Sequence, residues 1–128
     1  MENLEIVYEG NLATCANGFG QKIRTQAKEF SPLDLLALSL GSCLLTIMGI
    51  EAQKLGVNLR GSSVKVERSM SQDWPRRISS MKVEFSFDGK DISLQARAQL
   101  ERAGMSCPVY YSLSSEMKIH YIFHWEGT

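Results

Sequence analysis

The stretch SPLDLLALSLGSCLLTIMGIEAQKLG, residues 31–56, decides the fold. Its opening is a helix start. Ser31 can accept a backbone N–H at the N-cap, Pro32 fits the first helical position, and Asp34 stands where a capping box carries its acid. Its close is equally marked: Lys54 lies in the last turn, against the negative end of the helix dipole, and Gly56 can take the left-handed C′ position. The spacing predicts a helix from Pro32 to Leu55, about 24 residues long. Leu35, Leu36, Leu38, Leu40, Leu44, Leu45, Ile47, Met48 and Ile50 fall on every side of it, so the helix is expected to be enclosed all round and central to the fold. Ser39, Gly41, Ser42 and Gly49 lower its intrinsic propensity, Gly by about 1 kcal/mol against Ala, and close packing against another backbone, such as a partner helix, is the expected compensation.

The apolar run from Leu35 to Ile50 is sixteen residues long. A bilayer needs about 20, and Ser39, Ser42 and Thr46 interrupt the run, so the reading is a buried core helix and no membrane span.

The flanks alternate as strands do. Leu4, Ile6 and Tyr8 share one face, with Glu5, Val7 and Glu9 on the other, and Gly10-Asn11 can turn the chain into a second strand over 12–16. Asn17 to Gly20 supplies another turn, and 21–25 can pair back to complete a meander. Beyond the helix, Val64 and Val66 alternate with Lys65 and Glu67. Met81, Val83, Phe85 and Phe87 alternate with Lys82, Glu84 and Ser86, so both segments read as half-buried antiparallel strands. Ile92, Ala96, Leu100 and Ala103 have helical spacing up to Gly104, and Met117, Ile119, Tyr121, Phe123 and Trp125 alternate as a closing strand. The order is β-β-β-α-β-β-α-β, an α+β fold.

Composition is that of an ordinary globular domain: 128 residues, 44% hydrophobic, 22% charged, 14 Lys plus Arg against 14 Asp plus Glu. Such a chain is not disordered, and it lacks the clustered positive charge that nucleic acid or an anionic membrane surface requires. Its length supports one core, so residues 1–128 are read as one domain. The start, Met1-Glu2-Asn3-Leu4-Glu5, resembles neither a secretory nor a transit peptide, which points to the cytoplasm.

Three cysteines at wide spacings, Cys15, Cys43 and Cys107, do not make a disulfide scaffold and point to core packing or redox chemistry. Cys43 lies in the middle of the long helix. Cys107 precedes Pro108, which can start a short helix, so its sulfur would face backbone N–H groups and a lowered thiol pKa is expected. Two thiols on ordered elements could form a reversible redox pair, but free cysteine is also a common buried small hydrophobe, and spacing alone leaves both readings open.

Ser31-Pro32-Leu33-Asp34-Leu35-Leu36 leading into Gly41-Ser42-Cys43, followed by Lys54-Leu55-Gly56-Val57 and Cys107-Pro108-Val109, resembles the OsmC/Ohr family of osmotically induced and organic-hydroperoxide-resistance proteins. The resemblance spans nearly the whole chain. Its most specific parts are the Ser-Pro opening with a cysteine eleven residues after the proline, and the later Cys-Pro-Val. It implies a thiol peroxidase acting as an intertwined homodimer, with a long buried central helix and no cofactor. Cys43 would attack the peroxide O–O bond, and Cys107 would resolve the sulfenic acid as a disulfide. The implied partners are an organic hydroperoxide substrate, favoured by an apolar pocket around Cys43, and a thiol reductant. Peroxidases of the family resemble one another in a glutamate directly after the helix-opening proline, which orients an arginine onto the thiolate; here that place is Leu33. Asp34 is about 100° further round the helix, which favours capping. Arg24 is the only arginine before the helix. Asp34 and Arg24 are therefore candidate supporting residues.

Other groups carry weaker signals. His120 and His124 share a strand face but stand about 13 Å apart, too far for one zinc with ligands at about 2 Å, so no metal site is expected. Arg76 and Arg77 near Trp74 read as solvated turn charges. Cys15 defaults to packing, and Tyr110 and Tyr111 either line a pocket beside Cys107 or fill the core. Two functions follow: a cysteine-based hydroperoxide reductase, or, given Leu33, a dimeric scaffold that binds a small hydrophobic ligand without turnover.

Overall fold

The computed structural model describes residues 3–127. Its elements run β1 Glu5–Tyr8, β2 Ala13–Ala16, β3 Lys22–Thr25, α1 Pro32–Lys54, β4 Ser63–Met70, β5 Ile78–Asp88, α2 Leu94–Gly104, α3 Pro108–Tyr111 and β6 Lys118–Glu126. This is the α+β order expected, with the short helix that Pro108 starts. Contacts group the chain into two compact units whose boundary falls inside α1, between Leu36 and Ala37.

The first unit holds an antiparallel three-stranded meander in the order β1-β2-β3. Gly10, at φ +95°, makes the first turn, a backbone that a Cβ would strain. The Asn17 side-chain oxygen closes the second by accepting from the N–H groups of Phe19 and Gln21, each at 3.0 Å. Neither face of β1 is buried: Ile6 and Tyr8 are as open as Val7. The start of α1 is built as read: Asp34 N–H donates to Ser31 Oγ at 3.1 Å, and Ser31 N–H donates to Asp34 Oδ2 at 3.0 Å. The reciprocal pair satisfies two backbone donors.

The second unit is a sheet in the order β4-β5-β6 with the rest of α1 and both shorter helices. β4 and β5 pair antiparallel, Val66 opposite Val83, with burial alternating along both. β6 runs parallel to β5, Tyr121 opposite Val83, because α2 carries the chain across before it re-enters the sheet. Phe85 stacks on Phe123 at 4.8 Å and Phe87 on Trp125 at 4.2 Å, pairs worth about 0.5–1.5 kcal/mol each beyond their buried area.

α1 sends Leu40, Leu44 and Met48 inward at four-residue spacing, each 0% exposed. Their burial stabilises by about 1.5–3 kcal/mol per side chain. The helix is not enclosed on all sides within one chain, since Leu38 and Ile50 remain 48% and 54% exposed. By length and composition α1 could cross a membrane, unlike the shorter run Leu35 to Ile50 taken alone. Its small residues also behave differently from expectation. A Cβ on Gly41 would stand 2.9 Å from Val66 Cγ2, so the close neighbour is a strand side chain and not a second helix, while Gly49 meets nothing within 4 Å. α1 ends in a Schellman arrangement, Val57 N–H donating to Ala52 O and Gly56 N–H to Gln53 O, with Gly56 at φ +71°.

α2 starts two residues later than its apolar spacing suggests. Ser93 is the N-cap and accepts from Ala96 N–H, which leaves Ile92 buried ahead of the helix. Gly104 is its last helical residue, not a cap beyond it. A Cβ there would approach Met48 Cγ at 3.1 Å and Leu44 Cδ2 at 3.3 Å, so this glycine lets α2 approach α1.

Candidate functional site

Cys43 projects from α1 half-buried between the inward residues Leu40 and Leu44. Cys107 is the extended residue before Pro108, at φ −66° and ψ 119°, where the proline stops α2's continuation and begins α3. The fold brings the two free thiols together, and the Cys107 thiol hydrogen-bonds to the Cys43 sulfur.

The lowered thiol pKa expected at Cys107 is corrected by the structure. Cys107 is fully buried. Its thiol pKa is pushed up from 9.0, first by loss of solvent and then by the hydrogen bond to Cys43. The N–H groups of Tyr110 and Val109 pull the other way without forming a capping hydrogen bond. Desolvation disfavours the charged form and prevails over the helix end. Cys107 therefore keeps its proton and offers it to Cys43, which gives the pair one proton donor and one sulfur acceptor.

Aromatic side chains flank Cys107. Tyr110 and Tyr111 on α3 meet edge to face at 5.2 Å, and the Tyr110 ring lies 6.2 Å from that of Tyr121 on β6. Both α3 tyrosines are exposed, so they border the thiol pair and do not fill the core. Tyr121 is a residue that the sequence reading placed only as an inward strand position. Its hydroxyl oxygen is buried and has no hydrogen-bond partner among the described residues. Burial pushes its pKa up, with smaller contributions from Tyr110, Cys107 and Tyr111. The signal in the sequence was a polar-tipped ring in a face otherwise made by Ile119, Phe123 and Trp125.

Asp34 takes part in the cap described above. Arg24 donates through Nε and Nη2 to one oxygen of Glu29, at 3.1 and 2.8 Å, on the surface of the first unit. Cys15 lies opposite Ile6 and Ile23, and with Leu4, Leu35 and Ala16 it borders an apolar groove of about 760 Å³ in the same unit. His124 Nε2 lies 2.8 Å from Glu84 Oε2, which holds that carboxyl below its usual range. Arg77 donates to Asp73 Oδ1 and to Pro75 O, while Trp74 beside them is open to solvent. Among the described residues no group of three His, Cys, Asp or Glu side chains is arranged to hold a metal ion.

In the second unit a thiol pair is held between a long helix and a Cys-Pro turn, and the chain as a whole is an α+β protein with two three-stranded sheets. The description "OsmC-like protein" matches residues 25–121, and the chain belongs to that family. Among solved structures it is similar to a protein of Psychrobacter arcticus named for osmotic stress induction and detoxification response. Identity there is 27%, with 94% of each chain covered and a TM-score of 0.86. It shares its fold with an OsmC-like protein of Mycoplasma pneumoniae at 17% identity, 98% and 96% coverage and TM-score 0.84. The organic hydroperoxide resistance protein OhrB of Bacillus subtilis has that fold too, at 12% identity, 96% and 97% coverage and TM-score 0.69. The sequence has no significant match among the curated proteins.

Proposed function

We propose that the chain is a cysteine-based thiol peroxidase that reduces organic hydroperoxides, with Cys43 as the attacking sulfur and Cys107 as the resolving thiol. The observation that carries this reading is the hydrogen bond from the Cys107 thiol to the Cys43 sulfur. A resolving thiol in contact with the attacking sulfur is placed to react with a sulfenic acid there as soon as one forms, giving up its proton as it attacks. In the first step the Cys43 sulfur bonds to the terminal peroxide oxygen, the O–O bond breaks, and the alcohol leaves. In the second, Cys107 attacks the Cys43 sulfenic acid, the S–S bond forms and water departs. A thiol reductant then returns both cysteines to the reduced state, and no cofactor enters the cycle.

The active form is a homodimer of one OsmC-like domain per chain. The exposed apolar side chains Leu38 and Ile50 support it, since a contact there would remove them from water. Free thiols suit the reducing cytoplasm. The test is intact mass of the reduced protein before and after an equimolar dose of an organic hydroperoxide, with peptide mapping. Rapid loss of two hydrogens mapped to Cys43 and Cys107 is the expected result; unchanged thiols would overturn the reading.

A second reading has its own support. Leu33 replaces the glutamate that family peroxidases resemble one another in having, and the first unit carries an apolar groove of about 760 Å³. A non-catalytic dimer binding a small hydrophobic ligand would leave both thiols reduced under the same dose.

A further inference from the structure

Tyr121 stands on the inward face of β6, next to Phe123, which stacks on the buried Phe85. A phenylalanine would satisfy this face completely. The tyrosine adds one oxygen, and that oxygen is sealed from solvent with no partner. An unpaired buried hydroxyl costs about 1–3 kcal/mol, and tyrosines that bury their hydroxyl normally find it a partner. The position of this one narrows what the partner is. Tyr110, whose ring is 6.2 Å away, follows Cys107 by one turn of α3, and Cys107 in turn touches Cys43. Cys107 also acts directly on Tyr121, which sets the orphaned O–H beside the thiol pair.

We propose that the Tyr121 hydroxyl donates a hydrogen bond to the oxygen that a hydroperoxide brings to the Cys43–Cys107 pair, and so acts as a catalytic residue in breaking the O–O bond; this rests on the peroxidase reading above. As the Cys43 thiolate bonds to the terminal oxygen, the electron pair of the O–O bond leaves on the second oxygen as an alkoxide. Tyr121 stabilises that developing charge by hydrogen bonding. The proton that the Cys43 thiol released on ionising reaches the alkoxide through solvent, and an alcohol leaves. Sulfur is oxidised by two electrons, the peroxide is reduced by two, and the tyrosine is unchanged. A neutral hydroxyl that holds its proton is suited to this role, because it remains a hydrogen-bond donor as the O–O bond breaks.

The experiment compares wild type with Tyr121→Phe, which removes only the oxygen. Rates of thiol oxidation are measured with cumene hydroperoxide, whose leaving group is an alkoxide, and with peracetic acid, whose leaving carboxylate needs no such help. Unfolding in urea is followed in parallel. The expected result is a loss of about tenfold or more with cumene hydroperoxide, little change with peracetic acid, and a stability no lower than wild type. Equal rates for both proteins with cumene hydroperoxide would overturn the proposal, as would an equal slowing with both oxidants. A wild-type protein that neither oxidant converts to the disulfide overturns the peroxidase reading itself, a result seen before the variant is compared.

Discussion

Cys107 donates its thiol hydrogen to the sulfur of Cys43, joining the start of α3 to the middle of α1. The two sulfurs are not equivalent. One is sealed and holds its proton, the other is half-buried and accepts it. The division of labour between them follows from that asymmetry.

Cys43→Ser should abolish peroxide consumption and leave Cys107 reduced, since the resolving thiol reacts only with a sulfenic acid formed on Cys43. Cys107→Ser should still take up one oxygen at Cys43 but stop there, without turnover. Mass spectrometry after an equimolar dose of organic hydroperoxide separates the outcomes: an added oxygen atom in Cys107→Ser, no change in Cys43→Ser. Uptake of oxygen by Cys43→Ser would reverse the assignment.

The raised pKa of Cys107 makes stability depend on pH in a definite direction. The folded chain binds this proton more tightly than the unfolded chain, so the contribution is complete below 9.0 and fades as pH climbs from there toward the raised value. Between about pH 8 and about pH 11, wild type should lose more unfolding free energy than Cys107→Ser. Parallel slopes in urea titrations at the two pH values would contradict the account.

Gly41→Ala sets helix propensity against packing. The gain is about 1 kcal/mol in the middle of a helix. The new methyl would lie 2.9 Å from Val66 Cγ2, a stiff branched side chain, so overpacking of about 1–3 kcal/mol should prevail and the variant should be less stable. A raised unfolding midpoint would show that β4 yields more easily than its geometry suggests.

Ser31→Ala removes half of the reciprocal cap at the start of α1. The expected cost is about 1 kcal/mol in denaturant unfolding. Its rate of thiol oxidation should stay at the wild-type level, and a marked fall would mean that the helix start also positions Cys43.

Leu38→Asp places a charge on the open side of α1, where 48% of the native side chain is exposed. Light scattering should show a dimer for wild type and a monomer for the variant. A wild-type monomer would remove the dimer from the proposed function.

Much of this architecture was legible residue by residue. The signals at Ser31, Pro32, Asp34 and Gly56 are local: each acts on backbone groups within a few positions, and α1 starts at Pro32 as they direct and ends at Lys54, one residue short of the expected Leu55. The alternation of Val64, Val66, Val83 and Phe85 likewise needs only the period of a strand. The direction of β6 was not legible, because an alternating segment reads the same whether it pairs parallel or antiparallel. Gly104 reads as a stop signal in the sequence, since a glycine that ends a helix and one that admits a neighbouring helix look alike until Met48 is seen beside it. Of the candidate site, Cys43 and Cys107 were singled out, while Tyr121 was hidden inside a regular apolar pattern.

By itself the sequence determined the elements, their order and the two cysteines worth following, because capping, periodicity and turn chemistry act over a few residues. Tertiary structure alone decided that the Cys107 thiol faces Cys43, that its pKa rises where a helix end suggested it would fall, and that the Tyr121 hydroxyl is left without a partner. Those outcomes depend on solvent exclusion and on contacts between distant segments, and burial outweighs a local dipole only once the fold has removed the water.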